Sequence, residues 1–144
     1  MSVQPAVQPT RDLDTRAEIH DLVVRFYREI AFDDLLAPVF DEVAEVDWTV
    51  HIPRLIQYWC RVLLGQSGYD GYILAARRHV HDLEPFEVGL FNRWYVLFVE
   101  TVDAGWAGPL ADVAKRHAAR MAKVLARQLL YVDWEVPIVT SDRR

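Results

Sequence analysis

The sequence predicts an all-α domain, and three observations carry that reading. Apolar residues return at helical spacing in four long stretches. Alternation with a period of two is nowhere sustained, so nothing reads as a sheet. Most of the glycines and prolines fall between the periodic stretches, where they act as breaks. About six helices packed in crossing layers is the expected architecture.

Residues 1–11 carry Gln, Pro and Val without periodicity and read as a flexible N-terminal tail. They lack the basic start and apolar core of a secretory leader. A domain over 12–131 and a C-terminal tail over 132–144 complete the expected division. Thr15-Arg-Ala-Glu18 is a capping-box pattern. Behind it Ile19, Leu22, Val23, Phe26, Tyr27 and Ile30 make one helical face, ended by Asp33-Asp34. Leu35 to Phe40 is a short turn-rich segment with Pro38. A second helix is expected from about Ile52 to Leu64, with Pro53 in its first turn and Gly65 as its stop. Its apolar face reads Ile52, Leu55, Ile56, Trp59, Val62 and Leu63. Gly65 to Tyr72 is loop, and Ile73 to His81 makes one or two helical turns before Pro85. Helical periodicity returns from about Val88 to Ala104, with Leu90, Phe91, Trp94, Leu97, Phe98 and Thr101 on one side. Gly108-Pro109 then precedes a last helix of about Leu110 to Leu130, and Pro137 argues against its continuation.

At 144 residues the chain is one domain, large enough to bury a core and a ligand within it. An apolar fraction of 52% with 26% charged residues excludes disorder. The net charge of −5 argues against nucleic acid as the main partner. No apolar run is long enough for a bilayer span, so no membrane role is expected. The lone Cys60 cannot form an internal disulfide, which fits a cytoplasmic location. Phosphate-binding glycine loops, a serine nucleophile elbow and HExxH spacing are all missing.

What remains is a set of aromatic and imidazole groups aimed inward by helical spacing. Tyr27 lies on the first helix's apolar stripe, where its hydroxyl needs a partner. Taken alone, it reads as a core tyrosine bonded to a backbone carbonyl. His51 precedes Leu55 by one turn and shares its face, which by itself reads as a helix-start or core histidine. His117 falls near the inner face of the last helix and reads as structural or partly exposed. His79 and His81 form an HxH pair, whose imidazoles point to different sides of a helix. Either one turned inward could serve as an axial metal ligand. Arg54, Arg77 and Arg78 flank these positions and could meet an acidic group on a ligand, with solvation as the default for each.

Order and spacing change these readings. Phe26-Tyr27, Leu36-Ala37-Pro38-Val39-Phe40, Asp47-Trp48-Thr-Val-His51, Tyr58-Trp59, Val62-Leu63-Leu64-Gly65 and Gly68-Tyr69-Asp70-Gly71 come in sequence. Pro85-Phe86, Phe91-Asn-Arg-Trp94, Leu97-Phe98 and Ala107-Gly108-Pro109 follow. Together they resemble the truncated haemoglobins, most closely their third group, over about residues 15 to 130. The paired glycine motifs of groups one and two are absent, in agreement with group three.

The resemblance implies a two-over-two helical sandwich around haem b. Tyr27 matches the family's distal tyrosine, and Phe40 the phenylalanine stacked on the haem. His51 matches the histidine at the mouth of the distal pocket, and Trp94 the tryptophan beside the bound ligand. The proximal ligand should lie about thirteen residues before that tryptophan, which selects His81. In many relatives the ligand follows the glycine matched by Gly71 by about six residues, where this chain has Arg77, so His79 stays an alternative. Leu55 and Phe91 are expected to line the haem slot, with Arg54 meeting a propionate. O2, CO and NO are the implied ligands. Tyr27 and Trp94 are donors that suit slow O2 release, hence nitric oxide or peroxide detoxification with an unidentified reductase, better than oxygen transport. Two rivals stand beside this reading: a haem-free globin-like sensor or interaction module, and a helical binding domain with HxH as an incidental metal site.

Overall fold

A computed structural model describes residues 9–38, 48–66 and 88–137. Within them lie four α-helices and no strand: α1 (Arg16–Ala31), α2 (Trp48–Leu64), α3 (Val88–Gly105) and α4 (Pro109–Leu130). Helix α1 packs on α2, and α3 on α4; α1 also meets α3, and α2 meets α4. Two helices therefore lie over two, and the fold is all-α and globin-like. No described helix is long and apolar enough to cross a membrane.

Helix α1 starts as its sequence requires. Thr15 is the N-cap, in extended conformation, and its hydroxyl accepts from the Glu18 N–H at 3.2 Å. Its buried face is Ile19, Leu22, Val23, Phe26, Tyr27 and Ile30, the expected stripe. Helix α2 begins four residues before the expected Ile52, which puts Pro53 inside the helix. Pro53 has no N–H for the Thr49 carbonyl, a loss the buried apolar face outweighs. His51, Leu55, Ile56, Trp59, Cys60 and Leu63 are all buried on that helix. Gly65 follows in the left-handed region at φ 73°, a conformation that suits glycine at a helix stop.

Helix α4 has an unusual start. Its N-cap is Gly108, at φ 139°, which has no side chain to offer. The carboxylate of Asp12 takes that role from outside the helix, accepting from Leu110 N at 3.0 Å and Ala111 N at 2.7 Å. A Cβ on residue 108 would lie 2.6 Å from that carboxylate, so glycine is required on both counts. The Arg11 carbonyl adds a bond from Ala107 N at 2.8 Å. At its far end α4 closes on Tyr131 in αL conformation, and the chain then runs back to bury Trp134.

The core is one large cluster shared by all four helices and a smaller one at the α3/α4 end. Phe91, Ala122, Leu125, Ala126, Leu129 and Trp134 make up the smaller cluster. Trp134 is fixed there by its indole N–H, which donates to Asn92 Oδ1 at 2.8 Å. Small alanines at 111, 114 and 118 let α4 approach its neighbours closely.

Candidate functional site

The C-terminal half of α1, the first turns of α2 and the start of α3 meet in an aromatic cluster. Phe26 stands at its centre. Its ring lies 5.0 Å from Tyr27, 5.8 Å from Trp94 and 5.1 Å from Phe98, edge to face in each case. Tyr27 in turn meets the His51 imidazole at 5.8 Å and 88°. Helical spacing produces the grouping, because Tyr27 sits on the α1 stripe while His51 shares the inner face of α2 with Leu55. Tyr27 is 5% exposed and His51 only 2%, so both rings are packed inward.

Trp94 completes the cluster. Its Nε1 is buried and has no hydrogen-bond partner among the described residues. A buried donor left this way costs about 1–3 kcal/mol. Its ring is held firmly, stacked on Phe98 at 5.8 Å and 13°.

A part-buried ion pair fixes the start of α3 against the end of α1. Asp33, 7% exposed at the side chain, accepts from Arg93 Nε at 2.6 Å and pairs with Arg93 Nη2 at 2.6 Å. It also accepts from the Leu35 and Leu36 N–H groups at 3.2 and 3.0 Å. Burial alone would raise its pKa, but Arg93 and the two backbone donors together hold it below the usual carboxylate value. Arg93 immediately precedes Trp94, so this pair braces the turn that carries the indole.

Of the residues singled out from sequence, the fold brings Tyr27, Leu55 and Trp94 into one core cluster, with His51 edge-on against Tyr27. Arg54 is half-buried beside them on α2. Phe91, one turn before Trp94, belongs to the smaller cluster with Trp134. Phe40, His79 and His81 lie outside the described residues, as do Arg77 and Arg78. Among the described residues no group of three His, Cys, Asp or Glu side chains comes together to hold a metal ion. His117 is half-buried, and its Nε2 lies 2.5 Å from Tyr58 Oη. Burial, then the charge of Arg120, keeps its imidazole below the ordinary histidine pKa.

Sequence reasoning missed the Asp33–Arg93 pair and the Tyr58–His117 bond. Each joins positions about sixty residues apart, and neither partner is unusual in its own helix.

No sequence-family profile matches the chain. It is 28% identical over 107 residues to the group 3 truncated haemoglobin of Campylobacter jejuni, covering 72% of this chain and 82% of that protein. The crystal structure of group III truncated haemoglobin from the same organism superimposes with a TM-score of 0.69 and 26% identity. That match covers 80% of this chain and 91% of the other. The four-helix arrangement, the aromatic cluster and both similarities point the same way: in sequence and fold the chain is similar to a group III truncated haemoglobin.

Proposed function

We propose that this protein holds haem b and reversibly binds O2 and other diatomic ligands in the space bounded by Tyr27, His51 and Trp94. The observation that carries the reading is the buried Trp94 Nε1, without a partner among the described residues, in a cluster that also holds Tyr27 and His51. Buried tryptophan N–H groups as a rule have an acceptor, and a ligand in the cluster would give Trp94 one. The donor set therefore fits a haem pocket.

Haem, when bound, supplies the iron that takes up the diatomic ligand. The chain's own residues do the rest. His81 is the proposed proximal ligand, with His79 as the alternative. Phe40, Leu55 and Phe91 supply apolar surface for the porphyrin, and Arg54 a cation for a propionate. Tyr27 Oη and Trp94 Nε1 donate to a ligand atom that carries negative charge, and the buried ring cluster keeps water from competing. His51, packed edge-on against Tyr27, narrows the space and limits escape.

Two donors converging on one small ligand favour slow O2 release. Detoxification of nitric oxide or peroxide by a cytoplasmic protein, served by a reductase, suits that better than oxygen transport. The globin domain spans 12–131 in this reading.

The purified protein, titrated with hemin, tests the proposal. A sharp, stoichiometric Soret band is expected. A colourless protein that ignores hemin would sink the haem reading and favour a haem-free sensor or interaction module.

A further inference from the structure

The aromatic cluster does not end at Trp94. Phe98 is stacked with two indoles, 5.8 Å and 13° from Trp94 and 5.1 Å and 16° from Trp59. Trp59 then meets Tyr58 at 5.7 Å and His117 at 5.4 Å. Tyr58 Oη and His117 Nε2 close the series at 2.5 Å. Phe98 and Trp59 are 1% and 3% exposed, whereas Tyr58 and His117 are half-buried. The rings thus run without a gap from the proposed ligand space to a phenol–imidazole pair nearer the surface.

We propose that Tyr58 and His117 form a redox-active pair that gives up one electron through Trp59, Phe98 and Trp94 to an oxidant in the ligand space. Tyrosine and tryptophan are the readily oxidised side chains of the series, and Phe98 is the bridge that brings the two indole systems into contact. A phenol cannot lose an electron cheaply unless its proton has a destination, because the phenol radical cation is a very strong acid. His117 supplies that destination at hydrogen-bond distance. Burial favours its neutral form, which has a lone pair free to take the proton.

The step balances with peroxide as oxidant, and in that form it rests on the haem reading. Each withdrawal takes one electron from Tyr58 while the phenol proton passes to His117 Nε2, leaving a neutral tyrosyl radical and an imidazolium. A hydrogen donor of the phenol or enediol class then returns one electron to Tyr58. His117 gives its proton back to the phenolate oxygen, and the donor's own proton goes to solvent. Two such cycles deliver two electrons, and with two protons they cleave the O–O bond of one hydrogen peroxide to give two waters.

Two arms test the relay. In the first, the haem-loaded protein is mixed with hydrogen peroxide, frozen, and examined by electron paramagnetic resonance. A tyrosyl signal is expected, and Tyr58→Phe should abolish it while leaving the Soret band unchanged. His117→Gln keeps a hydrogen-bonding group but no base, so the signal should shift in g-value and lose yield. In the second arm azide radicals oxidise the full-length protein without haem, and indole-to-phenoxyl transfer is followed optically. That transfer should vanish in Tyr58→Phe. A purely structural tie between α2 and α4 would lower the melting temperature in both variants and leave the radical signals in place, which overturns the proposal. Haem-loaded protein that yields no tyrosyl signal with peroxide overturns it as well. A chain that takes up no haem removes the functional reading alone, and the azide arm then decides the relay.

Discussion

Trp94 and Trp106 belong to the same stretch of chain, one inside α3 and the other just past its end, yet their indoles are treated in opposite ways. Trp106 is 1% exposed, and its Nε1–H donates to Glu18 at 2.8 Å. Two guanidinium groups lie over its ring, Arg11 at 5.2 Å and Arg25 at 5.0 Å. Those cations are paired in turn, Arg11 with Glu18 at 3.2 Å and Arg25 with Asp21 at 3.1 Å. Trp106, Arg11 and Arg25 each find a partner within the fold at that end of α1. Trp94 meets the other end of the same helix among rings, its donor uncommitted to any described residue. The contrast separates a region tied together by its own side chains from one whose donor, in the proposed reading, is left for a ligand.

The most severe way to break that contrast is to remove the group proposed to anchor the ligand side. His81→Ala should lose the Soret band of hemin-loaded protein, while His79→Ala should keep it. The reverse pattern would transfer the axial role to His79. Tyr27→Phe is milder, since it keeps the ring and removes one donor. A hydrogen bond to a charged acceptor is worth about 1.5–3 kcal/mol, so O2 should leave roughly 10- to 150-fold faster. CO, with little charge on its outer atom, should barely respond in the same stopped-flow experiment. Equal changes for both gases would reduce Tyr27 to a matter of shape.

On the self-satisfied side, Asp12→Ala strips the start of α4 of its acceptor. A loss of about 0.5–2 kcal/mol is expected, read from the urea midpoint, with ligand kinetics unchanged. A midpoint equal to that of the original protein would mean that water replaces the carboxylate at no cost.

The smallest effect concerns Asp33. Its folded pKa lies below the unfolded reference of 3.8, so its contribution to stability is full above that pH. It disappears as pH falls through the reference toward the folded value. The stability gap between the protein and Asp33→Asn should therefore close on acidification below about pH 4. A gap that stays constant with pH would show that the carboxylate charge is not what holds Arg93.

Local signals made much of this legible in the sequence. The Thr15 cap, the α1 stripe, and the ends of α3 and α4 follow from patterns a few residues long. The start of α2 did not, because the preference of proline for a first turn placed the boundary at Ile52 and the helix runs past it. Tyr27, His51 and Trp94 were legible as inward-facing groups, but only the family resemblance joined them into one site. Bonds between distant residues left no trace. Asp33 to Arg93 and Asp12 to Ala111 depend on how helices are placed, and no periodicity encodes that. A glycine at the head of α4 was the one available hint, since a helix beginning on Gly108 must borrow its acceptor from elsewhere.

That borrowed acceptor has a bearing on how the chain assembles. Asp12 and Ala111 are 99 residues apart, so the first described segment and the last helix are fastened to each other across most of the molecule. Closing so large a loop is entropically costly, and the contact forms only after the intervening helices have shortened the distance. During synthesis Asp12 leaves the ribosome early and waits for a partner made near the end. Unfolding reverses the order: once the latch opens, the head of α4 and the segment before α1 are released together. Proteolytic nicking at either one should expose the other, which couples two distant stretches of sequence into a single cooperative unit.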